Sequence, residues 1–220
     1  MKFAIITFPG TSCERDVYYA VTHILGQRAE YIRHDCNNIN ALDSFDAIIL
    51  PGGSSYGDAL RPGSIAAVSA VIPALHRANE QGKIIMGICN GFQILTEAKL
   101  LPGVLLLNSD MTFVCKTMPI RVHTRSSIFT KRYGCGQVIQ YPIAHAKGRY
   151  YCDSNTLRQL RDNNQIIFTY QDNVNGSVAS IAGISNKAGN VLGLMPHPER
   201  ALSGLNIDGL GLFQSIIERF

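Results

Sequence analysis

The chain has little charge, and what it has is scattered. Charged residues make up 16% of its 220 positions, and 20 Lys and Arg against 16 Asp and Glu leave a net charge of +4. The densest basic group is Lys131-Arg132. With no basic stripe interleaved with aromatics, a nucleic-acid backbone has nothing to follow. No apolar run reaches the length of a membrane span. MKFAIITFPG lacks the long apolar stretch and small-residue cleavage site of a signal peptide, so it reads as a first strand, and a cytoplasmic protein is expected. The cysteines (13, 36, 89, 115, 135 and 152) form no C-x-x-C pair, and no H-x-x-x-H pair occurs. Zinc spacing is therefore absent, and thiols in a cytosolic chain are expected to be reduced. The first strand leads into PGTSCERD, which excludes the G-x-G-x-x-G turn of a dinucleotide site. No repeat, low-complexity tract or linker divides the chain, so residues 1–220 are expected to form a single domain.

What is present is apolar residue in ordered bursts, with 46% hydrophobic side chains to build a core. FAIITF (3–8), AEYIRH (29–34), DAIILPGG (46–53) and KIIMGI (83–88) read as strands, those at 46–53 and 83–88 as buried on both faces. Between them, Ser12 is placed to cap a helix ending at Gly26. Residues 64–82 carry helical periodicity, with Pro73 kinking that helix or starting a second one. NGFQILTEAKLL continues as a helix to Pro102-Gly103. The order β-α-β-β-α-β-α predicts a mostly parallel, doubly wound α/β sheet. After about residue 104, short strand-like runs broken by Gly, Asn and Pro predict an antiparallel, hairpin-rich part, with SNKAGN (185–190) as a tight connection. A last helix is expected over about 208–219.

Three segments carry chemistry. In GICNG, Cys89 stands between strand and helix with Gly87 and Gly91 at minus and plus two. That is the nucleophile-elbow pattern: bulky flanks would clash in the strained turn, and the helix N-terminus stabilises negative charge on the sulfur. Alone, the pattern fits a small core residue at a tight turn equally well. LMPHPER adds His197 and Glu199 at i and i+2 across Pro198. A residue before proline is driven toward extended backbone, where i and i+2 share a face, so Glu199 is expected to meet one imidazole nitrogen while the other reaches a thiol. That is the division of labour in a Cys-His-acid triad. PGGSSYGD (51–58) follows the third strand, at the sheet end where open α/β folds bind ligands. Its Gly52 and Gly53 are expected to present backbone N–H to an oxyanion and to permit a peptide flip.

These motifs, with FPGTSCERD, GGSSYGDALR, GICNGFQIL, PIAHAKGRYY, NVNGS and GLMPHPER in order along nearly the whole chain, resemble the class I (triad) glutamine amidotransferases. Among these, the match is to the glutaminase subunits of phosphoribosylformylglycinamidine synthase. The resemblance implies a flavodoxin-like fold with Cys89 as nucleophile, His197 as proton carrier and Glu199 as its orienting group. It further implies an oxyanion hole from the N–H groups of Gly53 and Asn90, with Gln93 helping to seat glutamine. Ammonia would pass to a separate synthetase subunit that holds ATP and Mg, with a small bridging subunit, and no cofactor or metal is implied for this chain. Against the family pattern, Ser54 replaces a bulky residue, Ala146-Lys147 replaces Gly-Glu, and Val174 replaces proline. His145 lies in one of these motifs, whereas Cys13, at a helix start with no base beside it in the sequence, is expected to be structural. A free γ-glutamyl hydrolase or the subunit of another synthase uses the same triad, and a non-catalytic regulatory subunit has no use for it.

Overall fold

The computed structural model describes residues 1–219. Its frame is a nine-stranded sheet in the order β2-β1-β3-β4-β11-β10-β9-β6-β7. The first half is built from β1 (Lys2–Thr7), α1 (Glu14–Tyr19), β2 (Arg28–Arg33), β3 (Ala47–Leu50), α2 (Ile72–Glu80), β4 (Ile84–Ile88) and α3 (Asn90–Glu97). The second half contains β5 (Val104–Leu106), β6 (Val114–Val122), β7 (Val138–His145), β8 (Arg149–Tyr151), α4 (Ser154–Asp162), β9 (Ile166–Tyr170), β10 (Ile181–Ser185), β11 (Val191–Leu194) and α5 (Leu210–Ile217). Strands β2, β1, β3, β4 and β11 run parallel to one another, and β10, β9, β6 and β7 continue the sheet from β11 in antiparallel pairs. A separate antiparallel pair joins β5 to β8.

The expected doubly wound sheet is thus present, and its burial follows the sequence. Every residue of β3, β4, β9, β10 and β11 is buried, as strands covered on both faces require. The outer strand β2 is largely exposed and carries Arg28, Glu30 and Arg33, charges that discourage pairing with another chain. Helix α3 buries all of Asn90–Thr96 between the sheet and β5. No helix among the described residues is long and apolar enough to cross a membrane.

Four local points correct, decide between or add to these expectations. Ser12 does not cap α1: Cys13 occupies the N-cap position and makes no capping hydrogen bond with its side chain, and the helix continues through a π turn at Ala20–Ile24. Pro73 stands in the first turn of α2 after a separate 3-10 turn at Ala66–Val68, so it starts a helix rather than kinking one. Helix α4 lies in polar sequence with one buried apolar residue, Leu160, and is fixed by an Asp153 cap on the Thr156 N–H at 2.7 Å. Its apolar face is too small for periodicity to announce it.

The fourth point matters most. SNKAGN does close a hairpin between β10 and β11, with Gly189 at φ 76°. The other edge of β11, however, pairs in parallel with β4, in the register Val191↔Ile85 to Leu194↔Ile88. The last strand therefore returns to the parallel part of the sheet, and the segment after it emerges beside the segment after β4.

Gly193 allows α3 to lie on this seam, because a Cβ there would enter the Phe92 ring and come within 2.6 Å of Leu101 Cδ1. Gly193→Ala should lower stability by about 1–3 kcal/mol, the usual cost of overpacking a filled core. Urea denaturation checks this, and an unchanged midpoint would contradict the packing of α3 against β11.

Candidate active site

The carboxyl ends of β1, β3, β4 and β11 open on one crevice, at the point where the order 2-1-3 reverses direction across β1. Cys89 stands there between β4 and α3 with φ 52° and ψ −105°, a conformation that non-glycine residues rarely hold and that costs of order 1–3 kcal/mol. Three contacts impose it. The Cys89 N–H donates to the Leu194 carbonyl at 2.8 Å, across the β4–β11 seam. A Cβ on Gly91 would collide with the Leu50 carbonyl, and one on Gly87 would lie 2.6 Å from the Gly91 backbone. The flanking glycines are thus steric requirements of the elbow. The thiol is 6% exposed, with Sγ 3.9 Å from the Ala144 carbonyl.

His197 follows β11 and is held by its N–H, which donates to the Pro142 carbonyl at 2.8 Å. Its Nδ1 lies 2.7 Å from Glu199 Oε1, and both side chains are buried. The route to that contact differs from the expected extended segment. Pro198–Arg200 forms a 3-10 turn, and His197 at φ −106°, ψ 84° turns the chain so that Glu199 folds back onto the ring. The prolines exclude helix and strand alike, and a tight turn satisfies them within two residues.

Burial by itself would lower the His197 pKa. The Glu199 carboxylate, and after it the neighbouring sulfurs of Cys89 and Cys13, outweigh it, and the imidazole is held well above its ordinary value. Its Nε2 is buried beside these sulfurs without a hydrogen bond to either among the described residues. Gly52 shows how closely the groups converge. A Cβ there would lie 2.8 Å from His197 Cε1, 3.1 Å from Cys13 Sγ and 3.4 Å from Cys89 Cβ.

Cys13, expected to be structural, lies beside His197. Its sulfur accepts from Arg200 Nη2 at 3.2 Å, and Arg200 Nε donates to Asp16 Oδ2 at 2.9 Å, so the turn bearing His197 and Glu199 is tied to α1. Cys13, His197 and Glu199 bring potential ligand atoms within 4.8 Å of one another. The 2.7 Å imidazole–carboxylate hydrogen bond occupies the space an ion between them would need, so the group reads as an acid–base unit.

Gly53, at φ 141°, could not carry a side chain: its Cβ would lie 2.6 Å from the Gly10 carbonyl and from the Ser12 nitrogen. The Gly52 carbonyl accepts from the N–H groups of Ser12 and Cys13, at 3.2 Å each, so the Gly53 N–H faces the opposite side of that peptide. Among the described residues that N–H has no protein acceptor, and Asn90, first in its helix, has no intrahelical one. The expected peptide flip would break both bonds to the Gly52 carbonyl. The loop is further pinned by Ser54 N–H to the Gly10 carbonyl at 2.9 Å and Ser55 N–H to Asn90 Oδ1 at 3.1 Å.

Gly53, Ser54, Asp58, Cys89, Gln93, His145 and Lys147 are among the residues lining a pocket of about 190 Å3. Larger hollows, of about 490 Å3 beside His123 and Arg161 and about 610 Å3 beside Lys99 and Lys187, contain none of the triad. Gln93 is less free than expected. Its Oε1 accepts from Asn90 Nδ2 at 2.8 Å and its Nε2 donates to the Lys147 carbonyl at 2.7 Å, so it braces the pocket wall.

His145 has a fixed tautomer. Asn108 Nδ2 donates to the carbonyls of Thr112 and His145, so Oδ1 is its acceptor end and takes bonds from the Gly148 N–H at 3.0 Å and from His145 Nδ1 at 3.2 Å. Asn175 Nδ2 holds the Gly148 carbonyl at 2.9 Å, which explains what the NVNGS segment does. No spacing in the sequence connects Asn108 or Asn175 to His145; only the fold does.

Burial, followed by the charge of His197, lowers the His145 pKa from 6.5 to about 4. The unfolded chain takes up this proton near 6.5 and the folded chain only near 4. Stability contributed by a neutral His145 is therefore lost as pH falls through that window, by up to about 3 kcal/mol. Denaturation at about pH 7.5 and about pH 5 should show His145→Gln losing less than the parent chain. Equal losses would remove His145 as the cause.

The comparisons with known proteins agree with this geometry. The family model of the CobB/CobQ-like glutamine amidotransferase domain matches residues 1–210. A chain in the structure of PurLQS from Thermotoga maritima is 42% identical, with a TM-score of 0.90, over 99% of this chain and 98% of that one. A glutamine amidotransferase from Thermotoga maritima shares the fold at 13% identity and a TM-score of 0.65, over 100% of this chain and 97% of that one. The glutaminase domain of Trypanosoma brucei CTPS, solved with bound acivicin, does so at 15% identity and 0.65, over 99% and 94%.

Proposed function

Because the chain belongs to the CobB/CobQ-like glutamine amidotransferase family and is of the PurQ type, we propose that it hydrolyses glutamine through a Cys89 thioester and supplies the ammonia to a separate synthetase subunit. The observation that carries this reading is the strained Cys89 in one crevice with a His197–Glu199 pair joined at 2.7 Å.

The steps follow from the groups present. The Cys89 thiolate attacks the side-chain amide carbon of glutamine, a C–S bond forms, and the carbonyl oxygen becomes an oxyanion held by the N–H groups of Gly53 and Asn90. His197, kept protonated by Glu199, gives its Nε2 proton to the departing nitrogen, the C–N bond breaks and ammonia leaves. Neutral His197 then takes a proton from water, whose hydroxide oxygen attacks the thioester. The C–S bond breaks, glutamate departs and the thiolate–imidazolium pair is restored. Glu199 stays ionised throughout and fixes the ring through Nδ1.

No step requires a cofactor or metal in this chain. In the proposed pathway the partner, with its own ATP and Mg, uses the ammonia to convert formylglycinamide ribonucleotide to its amidine in purine biosynthesis, with a small bridging subunit in the assembly. The 42% identity to a PurLQS chain over nearly its full length supports that choice of partner.

Ammonia release from glutamine should be slow for the chain alone and faster when the synthetase and its substrates are present. Cys89→Ser and His197→Ala should each reduce turnover by at least about a thousandfold, since triad members act as a unit. Glu199→Gln should cost less. A chain as fast alone as in the assembly, with no amidine formed, would be a free hydrolase instead.

A further inference from the structure

At the mouth of the Cys89 pocket stands an oppositely charged pair that the chemistry above leaves unused. Lys147 Nζ lies 3.8 Å from Asp58 Oδ2, too far for a hydrogen bond. The other carboxylate oxygen, Oδ1, is buried with no partner among the described residues. Both residues line the pocket that holds Cys89. An under-bonded, half-buried carboxylate is costly unless something else completes it.

Both groups are held in place. Tyr56, Gly57 and Asp58 are successive left-handed residues, at φ 53°, 66° and 54°. The first is anchored by its hydroxyl, 2.9 Å from His34 Nδ1 and 3.3 Å from Ser69 Oγ. Opposite, Gln93 donates to the Lys147 carbonyl at 2.7 Å, and the Asn108 N–H donates to the Ala146 carbonyl at 2.8 Å. Local backbone strain at a pocket rim is the pattern of a pre-organised binding group.

We propose that Asp58 and Lys147 form a clamp for the zwitterionic end of the amino-acid substrate, Asp58 taking the α-ammonium and Lys147 the α-carboxylate. An amino acid carries these two charges on one carbon, at a separation comparable to that of the pair. Laid antiparallel against it, the four charges alternate, and the under-bonded Asp58 carboxylate gains a charged donor. The side-chain amide then points inward to Cys89. Burial raises the Asp58 pKa and Lys147 opposes that rise, so an arriving ammonium meets a carboxylate whose ionised form needs a further cation. The clamp rests on the glutaminase reading and adds its specificity: primary amides lacking one or both charges of the α-amino acid end bind more weakly at the rim.

The test crosses two variants with three ligands. Asp58→Asn keeps the shape and suits a left-handed position; Lys147→Met keeps most of the stem. Each should raise KM for glutamine about tenfold with kcat nearly unchanged, the effect of losing one charge-assisted contact made equally in ground and transition states. As competitive inhibitors, glutaramate lacks the ammonium and 4-aminobutanamide lacks the carboxylate. Asp58→Asn should weaken 4-aminobutanamide and spare glutaramate, and Lys147→Met should do the reverse. Far-UV circular dichroism confirms that each variant is folded. Unchanged KM, or equal weakening of both inhibitors, would overturn the clamp while ammonia release by the parent chain keeps the glutaminase reading. No ammonia release from the parent chain, with or without a synthetase, would overturn both.

Discussion

The parallel pairing of β11 with β4 is the constraint on which the site depends. In this register Leu194 lies beside Ile88, and the Leu194 carbonyl takes the N–H of Cys89. The same pairing thus ends two strands together, bends one chain into the elbow and releases the other toward His197. Because side chains alternate with a period of two, a slip of one residue would turn the buried face of β11 to the wrong side of the sheet. Cys89 and His197 are therefore aligned by the main-chain ladder and not by a side-chain hydrogen bond between them.

Around this seam, absent side chains matter as much as those present. Gly87, Gly91 and Gly193 let α3 lie against β3, β4 and β11, where a methyl group would meet a carbonyl or a phenyl ring. Gly52 and Gly53 let the loop after β3 approach from the other side until it touches Gly10, Ser12, Cys13 and the ring of His197. Close backbone approach leaves the Gly53 N–H without an acceptor at the pocket that Cys89 also lines, and it also removes freedom. The Gly52 carbonyl holds two N–H groups from the β1–α1 connection, so the Gly53 N–H, the proposed oxyanion donor, is fixed by the loop's own hydrogen bonds. A fixed donor loses no energy to reorganisation when charge develops.

Side-chain amides keep the polar wall in order. Asn90 and Gln93 join the elbow to the loop before Asp58 and to Lys147, while Asn108 and Asn175 hold the turn that carries His145 and Gly148. Amides suit this role because each supplies a donor and an acceptor without a charge to desolvate. Charge is kept for the His197–Glu199 pair beside Cys89 and for the rim, where Asp58 and Lys147 face each other across the pocket mouth.

Much of this was legible in the residues themselves. Buried strands announced β1, β3 and β4, the turn glycines around Cys89 announced the elbow, and His197 with Glu199 two positions on announced an acid–base pair. These features are local, and each rests on the sterics or periodicity of a few adjacent residues. The sequence could not say that β11 would pair with β4 rather than only with β10, because both edges of a wholly apolar strand look the same in one dimension. It could not place Cys13 beside His197 across a separation of more than 180 positions, or connect Asn108 and Asn175 to His145. Nor could it show that Glu199 reaches the imidazole by a 3-10 turn rather than along an extended segment. Those relations exist only once the sheet has closed, since hydrogen bonding between distant backbones and the exclusion of water between them are properties of the assembled fold.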